Sequence, residues 1–199
     1  MHPTVNRASE ENCAPAGING PVLEVGAWPG ADALLNMPCL RHLPERVGLN
    51  LEGADCGDFR IVQGNANEMT PFTDGRFPAV PCNATLEHDR DFWKTFSEIH
   101  RVTAPGGLIA IGVPGHAGMG LHTDAPRSLF GRVMKAFTRS RYADLVLAST
   151  LTLGVHNFPG DDYRFSEQAV REVFMGGLAG VQTRLVLNPP RVIGWGRKP

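Results

Sequence analysis

The sequence predicts an α/β domain: a mostly parallel sheet with helices on both faces and an antiparallel hairpin at its C-terminal end. Three observations predict it. Short apolar runs alternate with helix-patterned stretches from residue 21 onward, the order that builds parallel strands joined by right-handed crossovers. Leu108–Val113 is almost wholly apolar, as strands buried on both faces of a parallel sheet are. The last two runs, Val181–Leu187 and Arg191–Trp195, are joined only by Asn188-Pro189-Pro190. That is too short for a helical crossover, so the two pair antiparallel.

Residues 1–19 are polar and rich in Ala, Gly and Pro, and they read as a flexible leader to a single domain over 20–199. Pro21–Gly26 is a β-prone run ending at glycine. A brief helix follows over Ala31–Met37 and stops at Pro38, because proline cannot continue it. Arg46–Leu51 and Phe59–Gln63 are the second and third strands. Phe77–Asn83 is the fourth, but Pro78 and Pro81 interrupt it. Each proline removes a ladder donor, so a short or locally irregular strand is expected. Asp89–Thr103 is the clearest helix, with Phe92, Trp93, Phe96, Ile99 and Val102 on one apolar face. Ser166 caps a last helix that runs to Phe174 and ends at Gly176-Gly177.

Composition narrows the function classes. A chain of 199 residues with 42% hydrophobic content builds one core. A formal net charge of -1 gives no whole-molecule field for nucleic acid. No apolar run reaches the roughly 20 residues of a membrane span, and the N-terminus lacks the basic-then-apolar pattern of a secretory signal. Cys13, Cys39, Cys56 and Cys82 are scattered singly, without a Cys-x-x-Cys pair, as in a reducing compartment. The expectation is a cytoplasmic domain.

In sheets of this kind ligands bind beyond the carboxyl ends of the strands, where strand order reverses. The first strand leaves through Glu24-Val25-Gly26-Ala27-Trp28-Pro29-Gly30, whose glycines permit a tight turn close to a ligand. Further on stand Gly48-Leu49-Asn50-Leu51, Val62-Gln63-Gly64-Asn65-Ala66, Leu86-Glu87-His88 and the run from Glu98 to Pro105-Gly106-Gly107. In this order, over roughly residues 21–114, these segments resemble the class I S-adenosylmethionine-dependent methyltransferases, and most of all their type-11 small-molecule branch. Tyr163-Arg164-Phe165-Ser166 extends the likeness.

The resemblance implies a Rossmann-like sheet and S-adenosylmethionine as cofactor, with S-adenosylhomocysteine as product. It implies that Glu24, Gly26, Ala27 and Gly30 line the methionine side of the cofactor, Asn50 the ribose, Asn65 and Ala66 the adenine, and Asn83 the sulfonium end. On that assignment Gly26→Val should abolish binding and leave the fold intact. The chain departs from the family pattern at Trp28, which replaces the middle glycine, and at Asn50, which replaces the ribose-binding acid. Asn65 and Pro78 each replace an aspartate. These departures favour a second reading, a non-catalytic relative that serves as a binding or partner subunit. A nicotinamide-dependent oxidoreductase is disfavoured because Gly-x-Gly-x-x-Gly is absent.

Methyl transfer to a hydroxyl or amine needs an oriented acceptor and, in many cases, a base. His88, after the fourth strand, is the first candidate, and His116, after the fifth, the second. His122 is a third. Residues 115–162 form the insertion that would set acceptor choice. Within it Arg127, Arg132, Lys135, Arg139 and Arg141 accompany an apolar helical stripe. That stretch, 127–141, reads as an ordinary covering helix, a lid over an apolar or anionic acceptor, or a membrane-surface contact. His116, His122, Asp124, His156, Asp161 and Asp162 match no compact ligand spacing, so no metal is expected. The partner expected is a small-molecule acceptor, such as a hydroxyl of a sugar or secondary metabolite.

Overall fold

The computed structural model describes residues 3–118, 150–151, 160–187 and 190–199. Its elements are α1 (Pro3–Cys13), β1 (Val22–Val25), β2 (Arg46–Asn50), β3 (Ala54–Asp55), β4 (Arg60–Gln63), β5 (Phe77–Asn83), α2 (Phe92–Val102), β6 (Thr103–Pro114), β7 (Ala117–Gly118), β8 (Thr150–Leu151), α3 (Glu167–Ala169), β9 (Ala179–Leu187) and β10 (Pro190–Arg197). Val170–Phe174 continues α3 as a π-helical turn. Among the described residues eight strands form one sheet in the order β3-β4-β2-β1-β5-β6-β10-β9. The five from β4 to β6 run parallel. β10 and β9 close the sheet antiparallel, as the short Asn-Pro-Pro connection predicts.

Alternation along the strands divides the core into two faces. Leu23, Val25, Val47, Leu49, Val80, Cys82, Ile109 and Ile111 face α2 and the 165–178 segment. There Phe92 meets Tyr163, Phe165 and Phe174 edge-on, at ring centroid distances of 5.2, 5.3 and 5.6 Å. Val22, Ala27, Ile61, Ala79 and Leu108 face the other way, onto Leu34, Leu35, Leu40 and Cys13.

Several sequence expectations need correction. The segment read as a leader contains α1, whose Ala8 and Cys13 are buried. Glu10 accepts from the Cys39 amide at 3.1 Å and Glu11 pairs with Arg184, so tertiary contacts hold a helix that its weakly patterned sequence does not announce. The helix expected over Ala31–Met37 is only the 3₁₀ turn Leu34–Asn36, because the stretch between Pro29 and Pro38 is too short to repay helix nucleation. β5, by contrast, meets the second of the two expectations for it, local irregularity: it keeps its full length, and every residue but Pro78 is registered against β1 or β6. Its irregularity is confined to a register shift between Phe77 and Ala79, where Pro78 sits and where the Pro105-Gly106-Gly107 stretch bows out of β6. α2 begins at Phe92 rather than Asp89, since Asp89 accepts from the Asp91 amide and the Thr95 hydroxyl, and Trp93 is left half-exposed at the rim of the helix. The edge strand β3 carried no pattern to predict it; two residues show no period.

Candidate functional site

The chain lays β2 and β4 to one side of β1 and then returns to place β5 and β6 on the other. Strand order therefore reverses between β1 and β5, the position at which such sheets bind ligands. The residues meeting there are the 26–30 loop after β1 and Asn83-Ala84-Thr85 after β5.

The 26–30 loop is closely tied to its neighbours. Gly26 has φ +75°, and its amide and that of Ala27 both donate to the Leu49 carbonyl, at 2.8 and 3.1 Å. A Cβ on Gly26 would lie 1.9 Å from Thr85 Oγ1. Gly26→Val would thus disrupt the fold, which corrects the expectation of a folded, non-binding variant. Ala27 is buried, and Gly48 makes room for it: a Cβ there would lie 2.5 Å from that of Ala27. Asn50 donates from Nδ2 to the Ala27 carbonyl at 2.7 Å and accepts the Leu51 amide at 2.7 Å, so its side chain latches the ends of β1 and β2 together. Glu24 is buried and accepts from the Leu35 amide at 3.1 Å, holding the 3₁₀ turn. Burial pushes its carboxyl up to about 7, against the pull of the Leu35 and Leu34 amides.

Across the reversal point, Asn83 is buried with its side chain over Gly112, where a Cβ would lie 2.2 Å from Asn83 Oδ1. Ala84 takes φ +56°, a left-handed backbone that disfavours a side chain and marks stored strain. Its amide is held by the Gly112 carbonyl at 2.9 Å. Asn65 is exposed and turns the chain by accepting the Asn67 amide at 2.9 Å, while Ala66 packs on the core. Asn67 then ties this loop to Asp89 at 2.7 Å and Thr95 at 3.0 Å. Gly30, Trp28 and Leu51 are exposed, the last two by 59% and 69%.

The acceptor-side candidates lie along the adjacent strand ends. His88 closes the 3₁₀ turn Leu86–His88 after β5, and His116 follows the end of β6; both are half-buried. The Glu87 carbonyl accepts the amides of Asp162 and Tyr163 at 2.9 and 3.2 Å, and Gly115 bridges to Phe165. The 160–165 segment is thereby docked over the turn that carries His88. Behind it four charges are buried together. Arg164 makes a bidentate pair with Asp161, and Arg191 stands 3.7 Å from the fully buried Glu87. Burial pushes the Glu87 carboxyl up to about 7, partly offset by Arg191, and lowers Arg191 from its ordinary value. Arg191, Glu87 and Asp161 were not flagged as a group by sequence; they are distant in the chain, and only the antiparallel return of β10 brings Arg191 to the end of β6. His122, Asp124, His156 and the 127–141 stretch lie outside the described residues.

An open depression of about 730 Å³, lined by Pro29, Gly30, Asn36, Arg41, Arg46, Asp55 and Phe59 among others, lies on the flank between the 29–41 and 54–59 segments. Neither the β5 end nor either candidate histidine borders it, so it is not the reaction site.

A doubly wound sheet, a glycine turn at the reversal point and a closing antiparallel pair define a Rossmann-like α/β protein. Residues 33–111 match the methyltransferase domain family. A sterol 24-C-methyltransferase of Gibberella zeae is 30% identical over 96 residues, 48% of this chain and 25% of that protein. A demethylmenaquinone methyltransferase of Geobacillus kaustophilus is 36% identical over 52 residues, 26% of this chain and 22% of that protein. The chain thus spans about a quarter of the length of these curated relatives. In fold it is similar to the Burkholderia thailandensis 1,6-didemethyltoxoflavin-N1-methyltransferase, crystallised with 1,6-didemethyltoxoflavin and S-adenosylhomocysteine, with a TM-score of 0.60 at 17% identity, over 97% of this chain and 77% of that one. Over residues 33–111, then, the chain carries the pattern of a methyltransferase domain, on a sheet whose fold is shared with a methyltransferase. No helix among the described residues is long and apolar enough to cross a membrane.

Proposed function

We propose that this chain transfers a methyl group from S-adenosylmethionine to a small-molecule acceptor. The single observation that carries the reading is the coincidence of the methyltransferase-domain match with a strand reversal flanked by a glycine turn. The sterol and demethylmenaquinone methyltransferases among its relatives favour a small acceptor over a macromolecule, and a hydroxyl is the acceptor atom we favour.

The residues present fit the adenosine end of the cofactor. Leu51 and Asn65 offer exposed surface there, with Ala66 half-buried, while Trp28 and Gly30 are exposed on the loop assigned to the methionine side. Glu24, Gly26, Ala27 and Asn50 act one step back, by holding the loop in shape through the bonds described above. When bound, the sulfonium supplies an electrophilic methyl group in line with its leaving sulfur. The protein then has to orient the acceptor, exclude water and accept a proton. His88, on the turn after β5, would take the proton of the acceptor hydroxyl as the new oxygen–carbon bond forms and the sulfur–carbon bond breaks. His116, at the end of the neighbouring strand, is the second proton acceptor. The 160–165 segment walls this side.

A second reading, a non-catalytic partner subunit, draws on one observation: Asn50 spends its side chain on the loop instead of presenting it outward. Calorimetric titration with S-adenosylmethionine and S-adenosylhomocysteine separates the two. Micromolar binding, followed by methyl transfer lost in His88→Ala, is expected. Absence of binding by a folded sample would overturn the enzyme reading in favour of the partner subunit.

A further inference from the structure

We propose that Cys13 and Cys39 form a redox-sensitive clasp, closed as a disulfide by a two-electron thiol oxidant such as glutathione disulfide, that pins α1 to the segment following the 26–30 loop. The inference is independent of the cofactor reading above. Tertiary packing makes the pair. Met37-Pro38-Cys39-Leu40 is a tight turn, closed by the Leu40 and Arg41 amides on the Met37 carbonyl at 2.9 and 2.8 Å. The Cys39 amide donates to the Glu10 carboxylate, at 3.1 and 3.3 Å to its two oxygens. Cys13 lies about one helical turn beyond Glu10 on the same face of α1, so the bond that seats Cys39 beside Glu10 also brings it to Cys13. The two thiols are in hydrogen-bonding contact. The other two cysteines stand elsewhere: Cys56 follows the edge strand β3, and Cys82 is buried within β5.

The clasp holds a helix with few other anchors. α1 has 11 residues, too short to be stable alone. Besides Glu10 and Cys13 it rests on Ala8, which packs with Val186 and Ile193, and on the exposed Glu11–Arg184 pair, the kind that contributes little. On the other side, the Cys39 turn follows the 3₁₀ turn whose Leu35 amide Glu24 holds. A bond between Cys13 and Cys39 therefore joins the N-terminal helix to structure anchored on β1. Cys13 is buried and Cys39 half-buried, which sets the order of events. The Cys39 thiolate attacks glutathione disulfide, releases one glutathione and forms a mixed disulfide. The Cys13 sulfur then displaces the second glutathione. Both cysteines are oxidised, the glutathione disulfide is reduced to two thiols, and those thiols take up the two cysteine protons. The Cys13 thiol, burial and the Glu10 carboxylate all hold the Cys39 thiol above its ordinary value. Little thiolate is present at neutral pH, so closure is slow. The clasp stays open in a reducing compartment and closes under sustained oxidation.

The test incubates the reduced full chain with glutathione disulfide at mildly alkaline pH, using wild type, Cys13→Ser and Cys56→Ser, each checked for folding by circular dichroism. Wild type should lose two hydrogen atoms in intact mass and yield a Cys13–Cys39 peptide pair. Its thermal midpoint should rise by about 5 °C or more, with slower amide exchange in α1, and dithiothreitol should reverse all three changes. Cys13→Ser should stop at a glutathione adduct on Cys39, with no rise in midpoint. Cys56→Ser should behave as wild type. A wild type that stops at glutathione adducts, that pairs either cysteine with Cys56 or Cys82, or that closes without slowing exchange in α1 overturns the inference. The wild-type mapping decides it even where a variant unfolds.

Discussion

The two ends of the candidate site handle polar groups in opposite ways. At the cofactor end, along the tips of β1 and β2, the polar groups are neutral or singly charged and almost all are spent on nearby backbone: the Gly26 and Ala27 amides on Leu49, Asn50 on Ala27 and Leu51, Glu24 on Leu35. Two large apolar side chains, Trp28 and Leu51, are left exposed there. At the acceptor end, behind the tips of β5 and β6, four ionisable groups from Glu87, Asp161, Arg164 and Arg191 are buried together, and Arg191 approaches Glu87 only to 3.7 Å. One end is rigid through short local bonds. The other depends on long-range charge balance, whose energy changes with protonation. The contrast teaches that one end of a site can be fixed by short bonds to nearby backbone while the other is held by charged groups brought together from distant parts of the chain.

Breaking the rigid end should give the largest effect. Gly26→Val forces a β-branched residue into φ +75° and drives its Cβ onto Thr85. A loss of about 3 kcal/mol or more is expected from left-handed strain plus overpacking, read by urea unfolding; a midpoint like that of wild type would show that the loop is not as tightly closed as described.

Next come the two buried carboxyls, one at each end. Glu87 and Glu24 are both pushed up to about 7 from 4.5, chiefly by burial. Each binds its proton more tightly folded than unfolded. Their contribution is therefore full below about 4.5 and is lost as pH rises through about 7. Glu87→Gln and Glu24→Gln should each flatten the fall in stability across that window, by about 1–3 kcal/mol. The comparison sharpens if Glu87→Gln also alters the pH profile of methyl transfer through the neighbouring His88 turn, while Glu24→Gln does not. Parallel behaviour of the two variants in both measurements would erase the distinction between the ends.

Smaller effects probe single bonds. Asn50→Ala removes the latch between β1 and β2 and should cost about 1 kcal/mol, with faster hydrogen exchange confined to the 26–30 loop and the end of β2. Ala84→Gly relieves a left-handed alanine at the tip of β5. Its strain relief exceeds the entropic cost of glycine only slightly, so a gain of about 0.5 kcal/mol in thermal unfolding is expected. A loss there would mean the Ala84 methyl contributes packing that outweighs its strain.

Much of this architecture was legible in residue order. The alternation of apolar runs and helical stretches announced the parallel sheet, and the three-residue Asn-Pro-Pro link announced the antiparallel pair β9–β10. The Ser166 cap was readable from residue type, and its hydroxyl does accept the Ala169 amide at 3.0 Å. The candidate site was legible in position but not in role. Glycine spacing placed the loop at the strand reversal; it carried no sign that Asn50 would turn inward or that Thr85 would sit against Gly26, since each depends on a partner far along the chain. Arg191 could not be associated with Glu87 for the same reason.

By itself, then, the sequence determined which segments are strands, where the chain must turn and which family its motif order resembles, because periodicity, proline and glycine act over a few residues. Tertiary structure decided what those residues do. It docked an unremarkable polar N-terminal segment as α1, seated a strand with two prolines between β1 and β6, and gathered four distant charges behind one histidine turn. The physical reason is common to all three: burial and pairing energies come from partners that local sequence does not name, and they outweigh local propensity once the sheet has closed.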